Sequence, residues 1–268
     1  MARILITGGA SGLGAALTRR YTERGDTVLV TDLAEHHPVP DGATYLRLDV
    51  TSENDWTRAT EVVTERFGGL DVLVNNAGIA TGGRVELVSH SEWTRVLDIN
   101  VAGVANGCRA FVPLFKQARA GHVVNTASLA GLVHPPAMSA YTAAKAAVVA
   151  LSESLRYELA PHGVAVSVLC PSFFRTNLAT SLRGEDPVMA GVARKLIDTA
   201  ALDADQIAAA ALDGIDARRF LVLTDRAGRR AFWSKRLLRP LYDRQMFAMG
   251  RRTATTAQRA AKGNTTHR

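Results

Sequence analysis

Seven short runs of β-favouring apolar residues recur along this chain, most of them followed by a stretch with helical period, and few folds accommodate that alternation. The runs are "RILIT" (3–7), "TVLVTD" (27–32), "TYLRLDV" (44–50), "DVLVNN" (71–76), "GHVVNTAS" (121–128), "VAVSVLC" (164–170) and "FLVLTD" (220–225). Helices are predicted at 12–24, 52–67, 91–118, 140–160 and 204–213, with Thr51 or Ser52 capping the second and Ser91 the third. Strands apolar on both faces and separated by helices form a parallel sheet covered on both sides. The predicted fold class is therefore α/β, a doubly wound three-layer αβα sandwich.

No linker interrupts residues 1–225, which read as one domain, and the pattern changes at residue 226. The net charge of +7 is unevenly held: residues 226–268 carry +11 and residues 1–225 carry −4. The basicity is a property of the tail, so the body has no electrostatic footprint for nucleic acid. Cys108 and Cys170 sit in apolar runs without CxxC spacing and read as reduced core residues. The opening "MARILITGG" runs straight from strand into turn, with no signal-peptide pattern, and no apolar run spans a bilayer. A cytoplasmic body is the expectation. His36, His37, His90, His122, His134, His162 and His267 show no metal-ligand spacing, and no metal is expected.

The segment "TGGASGLG" places Gly8, Gly12 and Gly14, with Ser11 and Leu13 between them, after the first strand and at the start of a helix. Glycines there permit a tight turn and close approach of backbone to a pyrophosphate, whose charge suits the helix N-terminus. Asp32 closes the second strand, 18 residues after Gly14. A carboxylate there accepts hydrogen bonds from ribose hydroxyls and repels a 2′-phosphate, so the expected cofactor is NAD in preference to NADP.

Tyr141 and Lys145 lie four residues apart in "SAYTAAKAAVVA", on one face of a helix. An ammonium, together with the positive end of the helix, favours the phenolate and turns a phenol of pKa about 10 into an acid/base. A plainer reading packs Tyr141 at the sheet edge and sends Lys145 to water. Ser128, thirteen residues before Tyr141 at the C-terminal end of the fifth strand, favours chemistry, because open α/β sheets gather ligands at that edge.

With "TGGASGLG", Asp32, Asp49-Val50, "NNAG" (75–78), Asn100, Ser128 and "YTAAK" in this order, residues 1 to about 225 resemble the short-chain dehydrogenase/reductase family in its short single-domain form. The resemblance implies a Rossmann-type sheet of seven parallel strands in the order 3-2-1-4-5-6-7. It implies hydride transfer between nicotinamide and a secondary alcohol or ketone. Tyr141 would then exchange the substrate proton and Ser128 orient its oxygen. Lys145 would hold the nicotinamide ribose and lower the Tyr141 pKa, while Asn100 would keep a water in the proton relay. Asp49 and Val50 would border the adenine, and Asn76, Ala77 and Gly78 would lie along the adenosine ribose side. In "CPSFFRT", Pro171 is followed by Ser172 where the family usually has Gly, and Thr176 is placed to meet the nicotinamide amide. Dimers or tetramers are common in the family. An NADPH-dependent 3-oxoacyl reductase, or a scaffold that binds NAD without turnover, are the alternatives; Asp32 weighs against the first and the intact Tyr141-Lys145 pair against the second.

Two regions flank the expected nicotinamide position, 129–139 and a lid at 173–201, both rich in Leu, Val, Met, Phe and Pro. An apolar wall of that kind suits a bulky hydrophobic substrate, steroid-like, terpenoid or aliphatic. In the tail, Phe232, Trp233, Leu237, Leu238, Leu241, Tyr242, Met246 and Phe247 are interleaved with Arg and Lys. Such a basic amphipathic extension fits over a cleft, against a second subunit, or on an anionic membrane surface. Pro240 should split its helix, and the final "TATTAQRAAKGNTTHR" reads as frayed.

Overall fold

The computed structural model describes residues 1–175 and 186–265. β1 (Arg3–Thr7) leads into α1 (Gly12–Glu23), β2 (Thr27–Asp32) and β3 (Ala43–Arg47), then α2 (Glu53–Phe67) and β4 (Val72–Asn75). α3 (His90–Leu97) and α4 (Gly103–Ala118) precede β5 (Gly121–Thr126), α5 (Ala130–Val133), α6 (Ser139–Leu159) and β6 (Val164–Leu169). α7 (Pro187–Asp198), α8 (Ala204–Asp216) and β7 (Leu221–Val222) follow, and α9 (Arg226–Leu237) and α10 (Arg239–Thr265) end the described chain.

All seven strands are parallel, in the order β3-β2-β1-β4-β5-β6-β7. This is the order the resemblance implies. A strand covered by helices on both faces has no solvent side, and β1 and β2 are accordingly buried nearly throughout. Two apolar cores result. One holds Leu5, Leu73, Trp56, Phe111 and Phe115, the other Ile4, Ile6, Leu17, Tyr21 and Ile207. The strand order reverses between β1 and β4, and chain connections diverge there to opposite faces, leaving a crevice at the strands' C-terminal ends.

The structure departs from the predicted elements at several places. Ser89, not Ser91, caps α3, its hydroxyl accepting from the Glu92 amide at 3.2 Å, because the helix begins one residue earlier at His90. Of the two candidates before α2, Ser52 is the cap, accepting from the Asp55 amide. The expected single helix over 91–118 is interrupted by a π turn at Asp98–Ala102, a change in hydrogen-bond pairing within a segment that stays helical. The lid contains α7, whose N-cap Asp186 is fully buried and accepts from the Arg84 guanidinium at 2.7 Å. The tail breaks next to Pro240, as expected, but α10 continues through the segment that reads as frayed, to Thr265.

Candidate active site

The turn after β1 is built by atoms that leave no room for side chains. Gly8 and Gly12 take left-handed φ values of 63° and 53°. A Cβ on Gly14 would lie 2.1 Å from the Gly8 carbonyl oxygen, and one on Gly8 would lie 2.9 Å from the Ala77 Cα. The segment after β4 clamps this turn: the Asn76 carboxamide donates to the Thr7 and Gly8 carbonyls at 3.0 and 3.2 Å. The Thr7 hydroxyl accepts from the amides of Asn76 and Ala77, both at 2.9 Å. Asn76 and Ala77 therefore help to shape the turn.

Ser11 stands at the N-cap of α1 yet its side chain makes no capping bond, and the first turn of the helix holds no acidic residue. The leading amides and the positive end of the helix are thus available to an anion. Beside them the Asp32 carboxylate accepts from the amides of Ala10 (3.2 Å) and Leu33 (2.8 Å). One bond to each oxygen leaves lone pairs for further donors, which ribose hydroxyls would supply. Arg47, across from Asp32 on β3, is paired with Glu35 at 3.1 Å and Asp55 at 3.3 Å. Asp49 accepts from the amide and hydroxyl of Thr51, and the Val50 carbonyl accepts from the Trp56 indole and the Asn106 carboxamide. Val50 also packs on Gly103, where a Cβ would meet it at 2.7 Å. The turn and its surroundings combine an open helix end, glycines where a Cβ would clash and the Asp32 carboxylate, features that suit a dinucleotide.

Four side chains converge at the C-terminal edge of β4 and β5. α6 begins at Ser139, so Tyr141 lies in its first turn and Lys145 one turn further. α5 can press against α6 because Gly131 has no side chain; a Cβ there would come within 2.6 Å of the Lys145 backbone. The buried Lys145 ammonium donates to the Thr126 carbonyl at 2.9 Å and lies 5.9 Å from the centre of the Tyr141 ring. Asn100 is fully buried in the π turn and grips Ile79 from both ends of its carboxamide, at 2.9 Å each. Gly78 joins the two groups, since a Cβ on it would sit 2.7 Å from Asn100 Oδ1 and 3.4 Å from Lys145 Nζ. Ser128 lies on the loop after β5; its hydroxyl accepts from the Ala130 amide at 3.2 Å and also interacts with the Tyr141 hydroxyl.

Burial dominates the electrostatics of the pair. Burial pushes the Tyr141 phenol up, Ser128 pulls it back, and Cys170 adds a further push upward. The Lys145 ammonium is turned to the Thr126 carbonyl. Burial lowers the lysine itself to about 8, partly opposed by Cys170. Cys108 and Cys170 are free and buried, both thiols pushed up to about 12 by desolvation.

A cavity of about 1070 Å³ opens over Ser128 and Tyr141. Its sides are Leu129, Val133, Pro135 and Met138 from 129–139, Pro171 to Phe174, and Ala193 and Ile197 of α7. Its roof is α9 and α10, through Trp233, Leu237, Leu238, Tyr242, Met246 and Met249. Thr176 lies outside the described residues. The roof is pinned to the 129–139 segment. Lys235 donates to the Leu132 carbonyl at 2.6 Å and to His134 Nδ1 at 2.7 Å, and the Tyr242 hydroxyl donates to the Val133 carbonyl. Burial and the Lys235 charge hold His134 below its ordinary pKa, so the neutral ring accepts from lysine while Nε2–H donates to the Gly131 carbonyl. The Lys235 and Arg84–Asp186 anchors went unread in the sequence, since nothing in a lone charged residue tells which distant carbonyl or helix end it will meet. A second cavity of about 540 Å³, between α2 and α4, contains none of these groups.

Comparison with known proteins agrees with this geometry. The family model for short chain dehydrogenases matches residues 2–187. A 3-alpha-(or 20-beta)-hydroxysteroid dehydrogenase of Mycobacterium tuberculosis is 39% identical over 180 residues, covering 65% of this chain and 69% of the relative. A cyclopentanol dehydrogenase of Comamonas testosteroni is 36% identical over 67% of this chain and 75% of its own length. Among solved structures, a short chain dehydrogenase/reductase from Burkholderia phymatum in complex with NAD superimposes with a TM-score of 0.80. It is 31% identical, over 88% of this chain and 92% of that one.

Proposed function

This chain belongs to the short-chain dehydrogenase/reductase family, oxidoreductases acting on alcohols and ketones, and from that premise we propose that it is an NAD-dependent dehydrogenase of a bulky hydrophobic secondary alcohol. The observation that carries the substrate reading is the large, mainly apolar cavity that opens over the Ser128 and Tyr141 hydroxyls. A volume near 1070 Å³ stands at the upper end of small-molecule sites and would leave a short hydroxy acid without contacts. The cofactor reading rests on Asp32, held beside the glycine turn by the Ala10 amide.

In this reading Ser128 donates to the substrate oxygen and fixes it against Tyr141. For oxidation, the Tyr141 phenolate takes the hydroxyl proton, the O–H electrons form the carbonyl, and the carbinol hydrogen departs as hydride with the C–H electron pair; in reduction both transfers reverse. The bound nicotinamide dinucleotide supplies the hydride acceptor. Lys145, positioned by the Thr126 carbonyl and adjacent to Gly78, would hold the ribose hydroxyls and, with its charge, favour the phenolate. Because Ile79 occupies both ends of the Asn100 carboxamide, we place its relay contact on the backbone of the π turn.

The reading is tested with hydrophobic secondary alcohols of increasing size, following NADH absorbance, with NADP as the parallel cofactor. Turnover should favour NAD and multi-ring or long-chain alcohols over two- to four-carbon ones. A preference for NADP would overturn the cofactor reading, and a preference for small hydroxy acids the substrate reading.

A further inference from the structure

The tail hairpin divides its apolar residues into two sets. Phe232 and Tyr242 are buried and fasten it to the body. Trp233, Leu237, Leu238 and Leu241 are instead 52%, 72%, 53% and 61% exposed, on an element whose position is already fixed by Lys235 and Tyr242. The leucines lie four, five and eight residues after Trp233, across the elbow where α9 ends and α10 begins at Arg239-Pro240. Large apolar side chains gathered at a fixed elbow form a contact surface rather than an unpacked end.

The charge around this elbow has one sign. Arg230, Arg236 and Arg244 flank it, and none of them forms an ion pair among the described residues. The only acid between residues 226 and 268, Asp243, is taken by Arg239 at 2.8 Å. A tail carrying +11 is complementary to an anionic surface. A second copy fits less well, since a two-fold contact places the same patch on both sides and sets arginine against arginine. Nucleic acid fits less well too, because phosphate recognition has no use for an apolar centre.

We propose that the α9–α10 elbow seats this protein peripherally on an anionic lipid surface, inserting Leu237, Leu238 and Leu241 with Trp233 at the headgroup level. The mode is interfacial, because among the described residues no helix is long and apolar enough to cross a membrane. Trp233, Leu237 and Leu238 also line the cavity over Tyr141, so the docked surface adjoins the mouth through which an apolar substrate enters.

The test uses the full chain and co-sedimentation with vesicles, and its readout is independent of turnover. Binding is expected to vesicles of phosphatidylglycerol with phosphatidylcholine, weakened by salt, and not to phosphatidylcholine alone. Leu237→Ser with Leu241→Ser, and separately Arg236→Gln with Arg244→Gln, should each weaken binding roughly ten-fold, at an unchanged melting temperature. Negligible wild-type binding to both vesicle types, or equal binding to both at high salt, overturns the proposal. So does sedimentation velocity in which the leucine variant dissociates a wild-type dimer or tetramer that does not bind vesicles, because the elbow is then a subunit contact.

Discussion

The two walls of the catalytic cleft are built from different materials. On the cofactor side the shape is made by backbone: Gly14 against the Gly8 carbonyl, Gly8 against Ala77, and the Asn76 carboxamide bonded across the turn. On the substrate side it is made by large side chains hung on α9 and α10, which touch the body through a few polar anchors and two buried aromatic rings. A wall of backbone tolerates almost no substitution, since an added atom has nowhere to go. A wall of side chains can be recut one residue at a time. The family match, which stops at residue 187, covers the first wall and not the roof of the second.

Between the walls stands Tyr141, whose loss should have the largest effect. Tyr141→Phe should lower turnover by roughly 10²- to 10⁴-fold, the usual worth of a general acid/base, with NAD affinity within a few-fold by titration calorimetry. Turnover near wild type would mean that the proton moves elsewhere. The same substitution should flatten the pH profile. Phenolate accumulates as pH rises, so alcohol oxidation by the wild type should climb from neutral into alkaline solution while ketone reduction declines, in keeping with a phenol raised by burial.

The cofactor wall is challenged next by Gly14→Ala. Its Cβ would sit 2.1 Å from a carbonyl oxygen, so the turn must move. Stability should fall by about 1–3 kcal/mol in urea unfolding, and NAD affinity should fall with it. An unchanged affinity would show that the turn has slack and would blur the contrast between the walls. Asp32→Ala should leave the fold intact and reduce the ratio of NAD to NADP affinity by roughly ten-fold, the worth of charge-assisted hydrogen bonds.

The substrate wall should respond in the opposite sense. Lys235→Met removes the bonds to Leu132 and His134. KM for bulky alcohols should rise several-fold, with NAD affinity unaffected; a loss of NAD affinity would mean the walls are coupled. The smallest effect expected is a slope. Lys145 releases its proton near pH 8 in the folded chain and near 10.5 when unfolded, so between those values the unfolded state binds more protons. Stability should therefore rise with pH across that interval, and Lys145→Met should remove the rise in thermal melts.

The same contrast decided what could be read before any coordinates. The strands, the glycine turn and the Tyr141-Lys145 spacing are local patterns, and periodicity with elementary sterics reports them directly. The sheet order is not local; it entered through the resemblance. The π turn stayed hidden because it alters hydrogen-bond pairing inside a segment that remains helical. The pairing of Lys145 with Thr126 depends on which of several nearby acceptors the ammonium meets. The tail residues were legible as amphipathic, but division into Phe232 and Tyr242 inside and Leu237 and Leu241 outside is a property of the docked hairpin.

The roof is caught by the carbonyl oxygens of Leu132 and Val133, atoms that every residue type carries. Mutation of the receiving loop therefore does not delete the acceptors, and a tail of another length or lining needs only donors at two positions to sit there. What such a chain accepts as substrate can drift over generations, by exchange or erosion of its C-terminal segment, without disturbing the glycine turn or α6, to which the proposed hydride chemistry is assigned.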